Sequence, residues 1–84
     1  MRTSTLSFAA LRRLLLDLDF QEKVLPSSHI AFFHKPSDTL IPLRAYQPQD
    51  LVSVADILGV RSQLDLRGLL DADAFDAHLR KASA

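Results

Sequence analysis

With 84 residues, 48% of them hydrophobic and 24% charged, the chain suits one small domain and is too apolar for a disordered segment. It has no cysteine, which excludes a disulfide framework or a thiolate metal site and fits a reducing, cytoplasmic compartment. Ten Lys and Arg balance ten Asp and Glu, which weighs against a strong charge-driven grip on nucleic acid.

The balance is uneven along the chain. Residues 23–46 carry Lys23, Lys35, Arg44, His29 and His34 against one acid, Asp38, whereas residues 47–84 carry six aspartates against four bases. The middle is basic and the tail mildly acidic. The apolar run after Met1 is interrupted by Arg12, Arg13 and Asp17, so neither a signal peptide nor a membrane span is expected. A core this small supplies only about 3–5 kcal/mol, which keeps a homodimer or a stabilising partner in view.

Phe8, Leu11, Leu15 and Leu18, with Leu14 beside them, recur at helical spacing and predict a first helix over 8–18. Ser7 is its N-cap. Asp19 stands where glycine often ends a helix, aspartate tolerating the left-handed conformation better than most residues. Three β-prone runs follow, 20–25, 28–34 and 39–44, separated by Pro26-Ser27 and by the turn Lys35-Pro36-Ser37-Asp38. They predict a three-stranded antiparallel meander. In the second strand Ile30 and Phe32 share one face, while His29, Ala31 and Phe33 share the other, away from the helices. Pro42 makes the third strand an edge or turns its missing donor outward. His34 and His78 read as surface residues.

Residues 45–52 lack periodicity and read as a loop. Ser53 and Asp56 then open a second helix in a capping-box pattern, carrying Ile57, Val60 and Leu64 inward and ending near Gly68. Asp71 caps a short third helix over 72–81 with Phe75 and Leu79 on one face. Asp71, Asp73 and Asp76 are explained by capping and dipole complementarity rather than as a metal cluster. His29 and His34, five apart on a strand, point to opposite faces and make a poor metal pair.

The order helix, three strands, helix, with Ser27-Ser28-His29 entering the second strand, resembles the HicA-type (YcfA-like) toxins of bacterial toxin-antitoxin systems. The resemblance covers a core of about residues 6–67: the leucines Leu11, Leu14 and Leu15, the aromatic Phe20, a Ser-His pair at Ser28-His29, and Phe32 shortly after it. It implies an α+β fold like that of double-stranded-RNA-binding domains, with the helices on one face of the meander. Residues 69–84 would be a C-terminal helical extension of this single domain. It further implies an mRNA interferase working without metal or other cofactor. His29 would be its catalytic acid or base at a ribose 2′-hydroxyl or the leaving oxygen, since imidazole with an ordinary pKa of about 6.5 offers both protonation states at neutral pH.

On this reading RNA lies on the helix-free sheet face, Lys23 and Arg44 hold phosphate there from the flanking strands, and Lys35 adds charge from the turn. Ser28 positions a phosphate, Phe33 stacks a base, and a cognate antitoxin protein covers the face. The family's glycine before Ser-His is Ser27 here, and the family's strongly basic character is absent. A catalytically inactive module of the same fold, binding a protein or RNA through the sheet face or the C-terminal helix, is the alternative.

Overall fold

The computed structural model describes residues 6–26 and 29–82. Helix α1 (Phe8–Asp17) is followed by β1 (Gln21–Val24), β2 (Ile30–His34), a 3-10 turn (Lys35–Ser37), β3 (Thr39–Leu43), α2 (Val54–Leu66) and α3 (Ala72–Ala82). The protein is α+β. Its sheet has the order β1-β2-β3, antiparallel throughout, so β3 is an edge strand, as Pro42 requires.

Local chemistry sets the helix limits. Ser7, in an extended conformation, accepts a hydrogen bond from the Ala10 amide at 3.2 Å, which satisfies one orphan donor of the first turn. At the other end Asp19 adopts φ 71°, and the amides of Asp19 and Phe20 return to the carbonyls of Leu16 and Leu15, both at 3.0 Å. This is a Schellman ending. It swings Phe20 into the core rather than into a strand, so β1 starts one residue later than the β-prone run.

Helix α2 is capped by Ser53, whose hydroxyl accepts from the Asp56 amide at 3.2 Å. It ends at Gly68, φ 71°, with Gly68 and Leu69 donating to Asp65 and Leu64 at 3.1 and 2.9 Å. Asp71 Oδ1 accepts from the Ala74 amide at 2.8 Å and opens α3.

All three helices pack on one side of the sheet. Phe32 of β2 and Ile41 and Leu43 of β3 face them and join Phe8, Leu11, Leu14 and Leu15 of α1, Ile57, Val60 and Leu64 of α2, and Phe75 of α3 in one apolar cluster. Phe75 is fully buried. An Arg61–Asp76 pair ties α2 to α3 through two hydrogen bonds of 3.0 and 3.2 Å.

The aperiodic segment 45–52 does more than connect. Its carbonyls at Asp50 and Pro48 accept from the Phe8 and Ala9 amides at 2.8 and 3.0 Å, so the loop caps further donors of the α1 first turn. The Val52 amide donates to the Leu6 carbonyl at 2.9 Å, and both side chains are buried. Tyr46 stacks on Phe8, ring centroids 5.6 Å apart. Its hydroxyl accepts from the Ser53 amide at 3.1 Å and donates to Asp56 Oδ2.

Candidate functional site

Register defines the helix-free face. Glu22, Phe32 and Ile41 lie level across the sheet and look toward the helices, Glu22 meeting Arg12 of α1 at 2.9 Å. The intervening residues therefore look away: Gln21 and Lys23 of β1, Ala31 and Phe33 of β2, Leu40 and Pro42 of β3. None is acidic. The Leu25 amide donates to the His29 carbonyl at 2.8 Å, continuing the β1–β2 ladder by one pair beyond Val24 and Ile30. Alternation then places the exposed His29 on the same face as Ala31 and Phe33.

Among the expected site residues, Lys23 and Phe33 are brought into contact, and alternation puts His29 on their face. The Lys23 ammonium lies over the half-buried Phe33 ring, 5.7 Å from its centroid. Small Ala31 is fully shielded between Lys23 and Pro42 on the neighbouring strands. Lys35 is exposed in the 3-10 turn at the far end of β2. Ser28 lies outside the described residues.

Arg44 departs from expectation. Strand β3 ends at Leu43, the chain bends as the Tyr46 amide donates to the Arg44 carbonyl at 2.9 Å, and alternation no longer aims the side chain. Its Nε sits 3.6 Å from Asp56 Oδ2 at the start of α2, so the guanidinium is drawn toward the helices.

His34 is a second correction, because it is buried rather than on the surface, with 8% of its area exposed. It shares the inward parity of Ile30 and Phe32, and its ring packs 5.1 Å from that of Phe20. Nδ1 is 2.7 Å from Ser37 Oγ, which is 2.7 Å from Thr39 Oγ1. This chain of side chains closes the β2–β3 turn, where Asp38 takes the left-handed conformation at φ 54°. Its imidazole is satisfied within the fold. His78 is exposed, as expected, at the mouth of a cavity of about 40 Å³ between α1 and α3 that is otherwise apolar.

Sequence reading missed Tyr46, whose hydroxyl joins the loop to α2, and the Ser37–Thr39 link. The parity of His34 was available from the same alternation that placed Phe32. Among the described residues, no three His, Asp or Glu side chains converge as metal ligands, and no helix is long and apolar enough to cross a membrane. No protein-family model, curated protein or solved structure matches this chain.

Proposed function

We propose that the protein is a HicA-like toxin, with a fold of the double-stranded-RNA-binding-domain type, that binds and cleaves mRNA on the helix-free face of its sheet. One observation carries this reading: exposed His29, Lys23 and the Phe33 ring share a face on which the strands place no acid. A phosphodiester needs cationic donors and an acid–base group, and an unpaired base needs an aromatic surface.

His29 removes the proton from a ribose 2′-hydroxyl as that oxygen bonds to the adjacent phosphorus. The bond from phosphorus to the 5′-oxygen breaks, and the leaving oxygen takes a proton from solvent. An antitoxin protein covers this face and blocks access. The test compares purified wild type with His29→Ala on mRNA, alongside growth on induced expression. Cleavage and arrest that vanish in the variant are expected. RNA left intact by a folded wild type removes the enzymatic reading.

A second reading, a non-catalytic protein-binding module, is favoured by the β3 side of the same face. Leu40 is 55% exposed there beside exposed Pro42, an apolar strip better matched to a protein than to phosphate. Salt-insensitive capture of a protein partner, with no RNA affinity at low ionic strength, is the result this reading requires.

A further inference from the structure

We propose that Lys23 is a second catalytic residue, parked over Phe33 in the free protein and moving onto the reacting phosphate at His29. This rests on the cleavage reading above and assigns the residue that meets the charge developing in the transition state.

The geometry comes from the register. Lys23 lies directly across from Ala31, and His29 and Phe33 are the residues two before and two after Ala31 on the same face. Lys23 is therefore diagonal to both. Diagonal neighbours on an antiparallel pair are about 7–8 Å apart, within reach of a long side chain, so one lysine stem serves either position. Its resting contact, 5.7 Å from the Phe33 centroid, is an exposed cation–π interaction and a weak tie. Lys23 makes no ion pair among the described residues, so no carboxylate has to be displaced.

The other cations are less well placed. Lys35 lies in the 3-10 turn beyond the far end of β2, a strand that itself spans about 16 Å, too far from His29 to share a phosphate. Arg44 falls level with His29 if the β2–β3 register is extended, but its Nε lies 3.6 Å from Asp56 Oδ2, a carboxylate partner that Lys23 lacks among the described residues.

The chemistry calls for such a group. As the 2′-oxygen bonds to phosphorus and the 5′-oxygen begins to leave, negative charge grows on the two non-bridging oxygens. A cation aimed there strengthens its interaction in the transition state and so raises kcat rather than merely lowering KM. When Lys23 leaves Phe33, it also uncovers ring surface for a base. Lysine is neither consumed nor deprotonated in the step.

The test measures kcat and KM on a mixed-sequence oligoribonucleotide for the full chain and for Lys23→Gln, Lys23→Arg and Arg44→Gln, with thermal melts confirming the fold. Lys23→Gln is expected to lower kcat by about 10- to 100-fold, less than for a fully enclosed site because this face is open to water, and to change KM by under about threefold. Lys23→Arg recovers part of the loss, and Arg44→Gln keeps kcat. Raised KM with unchanged kcat in Lys23→Gln reduces the residue to a phosphate contact and overturns the inference while cleavage stands. A folded wild type inert toward RNA is the separate failure of the cleavage reading, seen before any substitution is made.

Discussion

The two Schellman endings give one substitution pattern with opposite signs at matched geometry. Asp19 and Gly68 both sit at φ 71°, each just past a helix C-terminus and each followed by a residue whose amide reaches back five positions, Phe20 to Leu15 and Leu69 to Leu64. A side chain in this conformation costs about 1–2 kcal/mol, somewhat less for aspartate. Glycine gives back about 0.4–1 kcal/mol by widening the unfolded ensemble. Asp19→Gly should therefore stabilise by about 0.5–1 kcal/mol, and Gly68→Ala should destabilise by a similar amount. A Cβ at Gly68 meets nothing within 4 Å, so its cost is purely one of backbone conformation. Gly59, inside α2, is equally open but helical, and Gly59→Ala should stabilise by about 0.5–1 kcal/mol. Urea unfolding followed by far-UV circular dichroism measures all three, and in thermal melts Tm should move by about 4–8 °C per kcal/mol. Gly68→Ala at or above wild-type stability, or Asp19→Gly below it, would refute the reasoning.

Tyr46→Phe keeps the stack on Phe8 but strands the Ser53 amide and removes a donor to the Asp56 carboxylate. It should cost about 1.5–3 kcal/mol in chemical denaturation, since a hydrogen bond to a charged group is lost; under about 0.5 kcal/mol would show the hydroxyl to be idle. Phe75→Ala empties the anchor of α3 and should cost about 3–5 kcal/mol. Native-state hydrogen exchange should show the α3 amides losing protection, and full protection would contradict the anchoring role. Asp76 raises the pKa of Arg61 above its ordinary value, through its hydrogen bond first and its charge second. A raised pKa on a base contributes stability at every pH below the ordinary guanidinium range and loses it only as pH climbs through the raised value. Melts across neutral pH should therefore be blind to this pair, whereas Arg61→Met should speed α3 exchange and blunt its response to salt; unchanged exchange would remove the pair as a clasp.

Features written in a few adjacent residues were legible in the sequence. Ser7, Asp19, Ser53 and Asp71 each act within their own turn, and the caps observed are the caps their side chains favour. The inward set Ile57, Val60 and Leu64 followed from periodicity, even though Val54 and Leu58 leave α2 apolar on a second side as well. What escaped depends on partners distant in sequence. Tyr46 looks like any loop aromatic until the fold brings Phe8 under it and Asp56 beside its hydroxyl. Arg44 continues the β alternation on paper, but strand β3 ends at Leu43 and its Nε lies 3.6 Å from Asp56 at the start of α2. The placing of Lys23 and Phe33 on one face was readable because alternation and hairpin register suffice for it.

The same allocation of partners changes what zero net charge means for the site. Arg12, Arg44 and Arg61 each meet an acid, Glu22, Asp56 and Asp76, and these pairs link α1 to β1, the β3 end to α2, and α2 to α3. Three of the ten cations are thus matched on the helical side. Across the sheet Lys23 remains beside His29 with no acid on the neighbouring strand positions, so the face is locally cationic in a chain that is neutral overall. The grip this allows is small. With two phosphates neutralised, by Lys23 and Lys35, the logarithm of affinity for single-stranded RNA should fall with the logarithm of salt at a slope of about −1.4. A steeper dependence would bring in basic residues away from the sheet face, and a slope near zero leaves Leu40, Pro42 and Phe33 as the surface that binds.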